Sequence, residues 1–302
     1  MRETFQDLIA ENKRNSTVLM VCMITLLVSL GVVFGGAYGN WRAGLLIGLA
    51  AAAVMLLIAW FSGTDALMAI SGANEIEKQD APQLFNVVEE VAIAAGIPRP
   101  RIFVIDSDAP NAFATGTDPA NAAVAITTGL LNKLNRDELQ GVMAHEVAHI
   151  RNFDIRYGML MAVLAGAVIL LSDVFLRSMW FGGGRRRSSN EKEGGGVQAI
   201  LMLVGVLLAI LAPIFTVLIR MAMSRQREYL ADATAVEFTR NPDGLASALY
   251  KLAHDQTPME TSEATNALYI VNPKLGLRGG ADSLLSTHPP IGERIERLRK
   301  LT

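Results

Sequence analysis

Two histidines and a glutamate lie together in the segment GVMAHEVAHIRNFD, residues 141–154. His145 and His149 are four positions apart, so on a helix both side chains project from one face and can bind one metal ion. Glu146 follows the first histidine, where its carboxylate can contact a water molecule at the metal. Zinc lowers the pKa of such a water to about 7, and a carboxylate can then accept its proton during attack on a peptide carbonyl. The pattern indicates hydrolytic chemistry with one Zn²⁺ per chain.

The residues before the histidines contain the signals that begin a helix. Asn135 is a favourable N-cap, and Glu138 three positions later completes a capping box. The apolar neighbours Val142, Val147 and Ile150 predict that this helix is buried. Two histidines on the surface of an ordinary helix are the alternative. Histidine occurs only four times in the chain, and the capped helix supplies the required spacing, so the metal site is favoured.

A zinc site needs a third protein ligand. The chain has a single cysteine, Cys22, which lies in an apolar run, so a cysteine-based site is excluded. The segment SRQREYLADATAVEFTR has a helical pattern that places Glu228 and Asp232 on one face. Glu228 is the predicted third ligand, and Asp232 is predicted to orient a ligating histidine through its other ring nitrogen. The alternatives are an acidic pair on a solvated surface, or His288 or His254 as the third ligand.

Four apolar runs stand out in a chain that is 51% hydrophobic, with a mean hydropathy of +0.32. They cover residues 16–38, 43–61, 157–175 and 197–219. Each is close to the roughly 20 residues that a helix needs to cross a bilayer. The first run is too long for a cleaved signal peptide and the second follows at once, which predicts a retained helical hairpin. Paired glycines, Gly31 with Gly35 and Gly44 with Gly48, would let its helices pack closely.

Basic residues favour one orientation in the membrane. Four spans put both termini and residues 62–155 on the same side, and that side carries the larger number of Lys and Arg near the spans. The positive-inside rule therefore predicts that this side is cytoplasmic, although the cluster 185–187 argues the other way. Asp173 is the only acid inside a span, which disfavours a transporter. The net charge of -2 gives no electrostatic reason to expect a nucleic acid partner.

The polar segments predict a small α+β part in a mainly α protein. Residues 80–95 have the period of an amphipathic helix, and residues 101–108, 111–116 and 122–131 resemble short strands. The predicted organisation is an N-terminal tail and hairpin (1–61), the first half of a catalytic domain (62–156), a second pair of membrane segments (157–219) with a flexible loop (177–196), and a second catalytic half (220–302).

The ordered motifs NAFATG, HEVAH, REYLADA and STHPPIGERIERL, with the apolar runs between them, resemble the HtpX-type membrane zinc metalloproteases of bacteria. These enzymes are relatives of the type-1 CAAX prenyl proteases. The resemblance implies a gluzincin-like endopeptidase with His145, His149 and Glu228 as ligands and Glu146 as general base. It also implies an inner-membrane enzyme with a cytoplasmic-facing site. Its expected role is stress-linked quality control of misfolded or damaged membrane proteins, with membrane lipid and quality-control proteins as expected partners.

The same resemblance implies roles for residues of the first and last of these motifs. The strand at Asn111, Ala112 and Phe113 would hold a substrate backbone by edge pairing, unless it is plain sheet interior. His288 and Arg294 would donate to a developing oxyanion. Alternatively, His288 only precedes a helix start and Arg294 only pairs with a surface acid.

Two further alternatives remain at the level of the sequence. Asp154, five residues after His149, is either a second carboxylate that orients a ligand or a helix-end acid before a membrane span. A membrane scaffold with a structural metal is the rival function. Because a structural zinc is closed by four protein ligands and only three are assigned, an open catalytic site is favoured.

Overall fold

The computed structural model describes residues 5–182, 195–222, 225–259, 269–270 and 289–301. Its helices are α1 (Phe5–Ala37), α2 (Trp41–Ile70), α3 (Pro82–Ala95), α4 (Thr128–Lys133), α5 (Arg136–Arg151), α6 (Asp154–Gly182), α7 (Gly195–Ala222), α8 (Arg225–Thr239), α9 (Pro242–Ala253) and α10 (Ile291–Arg299). Its strands are β1 (Ala73–Glu75), β2 (Arg101–Ile105), β3 (Ala112–Gly116) and β4 (Ala122–Thr127). The mainly α class with a small sheet is confirmed.

The chain forms two compact units. The sheet unit comprises Met1–Ser16, Ser62–Met159 and Met221–Thr302. The span unit comprises Thr17–Phe61 and Leu160–Arg220. The membrane-spanning pattern of the sequence belongs mainly to the span unit, and the chemistry-bearing motifs belong to the sheet unit.

Four helices in the described chain are long and apolar enough to cross a membrane, as the four apolar runs predict. These candidate spans are Lys13–Ala37, Trp41–Ile70, Asp154–Met179 and Ala199–Thr216. The helices are longer than the runs, because α1 begins at Phe5 and α2 continues past the predicted end to Ile70. Both helices thus continue through residues that are less hydrophobic than the predicted spans. Helix α2 ends at Ile70, two residues before Gly72, whose φ of 65° is left-handed and suits glycine.

The first two spans approach each other at their glycines. A Cβ added to Gly44 would lie 2.1 Å from the Gly31 carbonyl oxygen, and one added to Gly31 would lie 2.6 Å from the Gly44 carbonyl oxygen. Neither position has space for a side chain, so the two backbones are in direct contact. The small-xxx-small prediction is confirmed, and glycine is required here for close approach rather than for flexibility.

The sheet of the sheet unit has the strand order β1-β2-β4-β3. Strand β4 pairs parallel with β2 and antiparallel with β3, so β3 is an outer strand. The predicted strand over 122–131 is wrong in its last four residues. It ends at Thr127, whose side chain accepts a hydrogen bond from the Leu130 N–H and so caps α4. Strand β1 was not predicted, because three residues are too few to establish an alternating pattern.

Helix α5 lies at the centre of the sheet unit. It packs against α3, α8, α9 and β3, which buries most of its length. The predicted capping box of Asn135 and Glu138 is present at its N-terminus. The Glu138 carboxylate also accepts hydrogen bonds from Ser247 and Lys251 of α9. These contacts fix both the start and the position of the helix that carries the histidines.

Candidate metal centre

Helices α5 and α8 bring the three predicted ligands together. The Nε2 atoms of His145 and His149 are 3.2 Å apart. Each lies 3.6 Å from a carboxylate oxygen of Glu228. The structure thus places Glu228, the predicted third ligand, beside both histidines. Glu228 lies on a different helix, 79 residues after His149 in the chain.

The spacing of these donor atoms fits a metal ion. Two donors each about 2.1 Å from one ion at a tetrahedral angle lie roughly 3.4 Å apart. The observed separations of 3.2 and 3.6 Å bracket that value. Two imidazole nitrogens and a carboxylate are also the donor set of a common class of catalytic zinc site. The residues therefore fit a divalent metal ion that has three protein ligands and one open coordination position.

The opposite ring nitrogen of each histidine faces a carboxylate. Nδ1 of His145 lies 3.0 Å from Asp232, and Nδ1 of His149 lies 3.1 Å from Asp154. Such a carboxylate holds the proton on Nδ1, so Nε2 presents its lone pair to the space between the helices. Two lone pairs that face each other at 3.2 Å need a cation or a proton between them. Both predicted orienting acids are therefore in place.

Asp154 reaches His149 because of a sharp turn after α5. Phe153 adopts a φ of 63°, which is unusual for a residue with a side chain and costs about 1–2 kcal/mol. The ring of Phe153 lies beneath the cationic groups of Lys13 and Arg156, at 4.7 and 5.0 Å. These contacts offset the backbone strain and hold the turn that directs Asp154 towards His149.

Arg294 is buried in this cluster, with 0% of its surface exposed. Its guanidinium donates two hydrogen bonds to Asp232, at 2.7 and 2.9 Å, and lies 3.1 Å from Glu228. Its Nη2 is 3.4 Å from the His145 ring. The alternative that Arg294 pairs with a surface acid is therefore wrong: its partners are buried acids of the site.

A second arginine, Arg227, was not predicted from the sequence and lies on the His149 side of the site, beside Asp154. Arg227 is 7% exposed, and its Nε is 3.6 Å from Asp154. Its guanidinium also lies over the ring of Tyr157 at 5.4 Å. Its position next to Glu228 in the sequence was the available signal, but only the packing of α8 against α5 shows that it is buried.

The site carries an excess of negative charge that suits a divalent cation. Its charged groups are the carboxylates of Glu146, Asp154, Glu228 and Asp232 and the guanidinium groups of Arg227 and Arg294. When all are ionised, the carboxylates exceed the guanidiniums by two. Because uncompensated charges are costly in a protein interior, this excess favours a bound divalent cation.

Proton affinities follow from the same crowding. Burial, and then the charge of Arg294, would lower the pKa of His145, but Asp232 and Glu228 outweigh them and raise it to about 9. Burial alone would raise the pKa of Asp232, but Arg294 and His145 hold it below the ordinary value. In the metal-free protein, a proton on His145 takes the place of part of the missing cationic charge.

Glu146 is 2% exposed and lies on the ligand helix. Burial raises the pKa of its carboxyl, and the neighbouring histidines counteract this only in part. A raised pKa brings a carboxylate closer to the range in which it can both accept and release a proton. Burial thus shifts the pKa of Glu146 in the direction that the predicted general-base role requires.

The remaining predicted site residues differ in where the structure places them. Strand β3 is an outer strand, but its five residues are buried, and the Ala112 carbonyl accepts a hydrogen bond from the Ile270 N–H. Phe113 packs edge-on against Tyr269, with 5.0 Å between ring centroids. His254 is exposed at the end of α9 and contacts the Tyr250 carbonyl, so it is outside the ligand cluster. His288 and residues 183–194 of the loop predicted to be flexible lie outside the described residues.

Four helices that could cross a membrane, a His/His/Glu cluster that could hold a metal ion and the buried Glu146 are the features expected of a membrane metalloprotease. Residues 78–302 match the model of peptidase family M48. A "Protease HtpX homolog" of Streptococcus gordonii (strain Challis) is 46% identical over 97% of this chain and 98% of its own. One from Streptococcus pneumoniae (strain P1031) is 49% identical over 98% and 99%. The chain belongs to peptidase family M48.

A solved structure shows the same fold. The crystal structure of S. mikatae Ste24p superposes with a TM-score of 0.51 at 21% identity, over 96% of this chain and 66% of that one. The fold expected from the resemblance to HtpX-type proteases and their prenyl-protease relatives is thereby confirmed.

Proposed function

We propose that this membrane metalloprotease is a zinc endopeptidase that cleaves misfolded or damaged membrane proteins. The observation that carries the proposal is the cluster of His145, His149 and Glu228, whose donor atoms lie within 4.8 Å of one another next to a buried Glu146. Two imidazoles and one carboxylate suit zinc and leave a coordination position for substrate or water. No fourth protein donor is found in the described cluster, which argues against a purely structural metal.

In the proposed mechanism, His145, His149 and Glu228 would hold a Zn²⁺, which would supply Lewis acidity at the water and the scissile carbonyl. Glu146 accepts a proton from the attacking water and passes it to the leaving amine. Asp232 and Asp154 keep the two ligand rings oriented through Nδ1. Arg294 places a fixed positive charge 3.4 Å from the His145 ring, and together with His288 it is proposed to stabilise the oxyanion.

Substrate binding is proposed to use the edge of β3 from Ala114 onwards, because within the predicted segment Asn111–Phe113 the outward-facing N–H and carbonyl of Ala112 are already hydrogen bonded. Two observations support this role: β3 is the outer strand of the sheet, and it packs against the helix that carries the histidines. An extended polypeptide could add to this edge through backbone hydrogen bonds, with little dependence on side chains. Such binding suits unfolded segments.

The proposed location is the bacterial inner membrane, with the site facing the cytoplasm and possible quality-control proteins as partners. The excess of Lys and Arg on that side supports the orientation. Asp154, which contacts His149, is also the first residue of a candidate span, which favours a site near the membrane surface. Loops of membrane proteins would then be the accessible substrates, and stress that damages such proteins would increase the demand for the enzyme.

The test compares wild type with Glu146→Gln in detergent-purified protein loaded with Zn²⁺. With an unfolded membrane polypeptide as substrate, cleavage by the variant should fall at least about a hundredfold, because the proton acceptor is lost. Both proteins should still bind one zinc by elemental analysis. Equal cleavage by the two would reject Glu146 as the base, and a zinc-loaded wild type that cleaves nothing would favour the scaffold function.

A further inference from the structure

The two histidines of the metal centre are supported in parallel ways. Behind His145 stands Asp232, and Asp232 is paired with the buried Arg294. Behind His149 stands Asp154, and Asp154 is paired with the buried Arg227. Each series of contacts, here called an arm, thus runs from a ligand histidine to a carboxylate and then to a guanidinium. The first arm consists of residues that the motifs already indicated, whereas the second ends in a residue with no assigned role.

The second arm differs from the first in what the arginine touches. Arg294 contacts Asp232, Glu228 and the His145 ring directly. In contrast, Arg227 reaches the centre through Asp154, with 3.6 Å between Nε and the carboxylate oxygen. The side chains of both partners are 9% exposed, so water does little to screen this pair.

Burial makes the arginine important for where Asp154 points. A carboxylate buried beside a histidine needs a second partner to hold its free oxygen, and here one oxygen faces His149 and the other faces Arg227. Without the guanidinium, Asp154 would be left with a single contact in a poorly solvated place. It would then be free to rotate, and His149 would lose its orientation.

Arg227 also has a fixed place in the fold. It precedes Glu228 directly on α8, and its guanidinium lies over the Tyr157 ring of α6. The residue therefore links the helix that supplies the third ligand to the turn that supplies Asp154. An arginine with these two contacts can transmit the position of α8 to His149.

We infer that Arg227 is a positioning residue of the metal centre, which fixes Asp154 and through it the ring of His149. The inference rests on the proposed zinc site. It predicts that replacing Arg227 weakens metal binding even though its guanidinium is not itself a metal ligand.

The experiment is a double-mutant cycle on the full chain in detergent. The Kd for Zn²⁺ is measured by chelator competition for wild type, Arg227→Gln, Asp154→Asn and the double variant. We expect Arg227→Gln to weaken binding about tenfold, as loss of an outer-shell partner does. The double variant should bind no more weakly than Asp154→Asn alone, because the arginine acts through that carboxylate.

Arg151→Gln is the matched control. Arg151 also joins α5 to α8, through an ion pair of 3.7 Å with Glu237, but it is half-exposed and lies two positions after His149, on a different face of α5. It should leave the zinc Kd unchanged. Thermal unfolding of each metal-free variant separates loss of affinity from loss of fold.

Three outcomes would overturn the inference. In the first, Arg227→Gln lowers the thermal stability of the metal-free protein but leaves the zinc Kd unchanged, which is a structural role only. In the second, the effects of Arg227→Gln and Asp154→Asn add. If Arg227→Gln does not fold, Arg227→Lys is used instead. Zinc binding should then weaken several-fold, because the lysine ammonium lacks the planar guanidinium fork. An unchanged zinc Kd for Arg227→Lys is the third outcome that would overturn the inference. A wild type that binds no zinc would instead refute the proposed function.

Discussion

The sheet unit and the span unit are held by different kinds of contact. At the metal centre of the sheet unit, buried arginines lie against buried acids: Arg294 against Asp232, Arg227 against Asp154. In the span unit, backbones touch at Gly31 and Gly44, and Phe34 stacks on Phe175 with 3.8 Å between ring centroids. Its ion pair between Asp173 and Arg177 is on an exposed surface.

The difference reflects what each unit must do. A metal centre needs charged groups in a poorly solvated place, so it requires a partner for every charge. Helices in a membrane gain little from burying apolar side chains against each other, so they depend on shape and close approach. Substitutions should therefore act through charge in the sheet unit and through volume in the span unit.

Replacing Glu228 should have the largest effect on the sheet unit. Glu228→Gln removes a charged ligand, and we expect the zinc Kd to rise by more than the roughly hundredfold that is typical of outer partners. Glu237→Gln on the same helix is the control, because its side chain is half-exposed and its ion pair among the described residues is with Arg151. Zinc affinity by chelator competition is the measurement. Equal affinities of the two variants would remove Glu228 from the ligand set.

The metal-free protein should lose stability as pH rises. The pKa of His145 in the folded chain is about 9, above the unfolded value of 6.5, so its pairing stabilises fully below pH 6.5 and is lost as pH rises through 9. The change should be a few kcal/mol, since one pKa unit corresponds to about 1.4 kcal/mol. Thermal unfolding across this range is the measurement.

Two comparisons test the origin of that pH dependence. Asp232→Asn should flatten it, because the carboxylate that favours protonated His145 is gone. Saturating zinc should reverse it, because the metal binds the neutral ring and competes with the proton. A metal-free wild type whose stability does not change between pH 6.5 and 9 would contradict the assignment.

The span unit should instead respond to a single methyl group. Gly44→Ala places a Cβ 2.1 Å from the Gly31 carbonyl oxygen and should destabilise the protein by about 1–3 kcal/mol. Gly166→Ala is the same change on another span helix, with nothing within 4 Å of the added atom, and should be nearly neutral. Unfolding in detergent is the measurement. Equal stabilities would mean that the glycine contact is not required.

Local patterns in the sequence predicted what depends on local geometry. The capping box, the i,i+4 histidines and the paired glycines are each set by spacing within one helix, and all are present. The end of β4 was misjudged because Thr127 was able to continue a strand or cap a helix, and the fold selected the cap. Strand β1 is stabilised by pairing with β2, which no three-residue pattern reveals.

The outer parts of the site depended on tertiary contacts. Glu228 and Asp232 were recognisable as an acidic pair at helical spacing, but Arg227 resembles an ordinary surface arginine in the sequence. Its burial follows from the packing of α8 on α5 and from the turn at Phe153. Similarly, the resemblance implies a role for Arg294 at the oxyanion, but the sequence does not reveal its two acidic partners, which lie more than 60 residues earlier.

The hydrogen bond between Ile270 and Ala112 limits how much of a polypeptide chain can add to β3. The Ala112 N–H is bonded to the Asn111 side chain and its carbonyl to Ile270, so strand pairing by an added chain stops there. Because outward-facing amides alternate along a strand, Ala114 is the next position turned away from β4. A chain bound at this edge would make a short ladder that begins at Ala114. Selection would then depend on whether a segment is extended and accessible more than on a long recognition sequence.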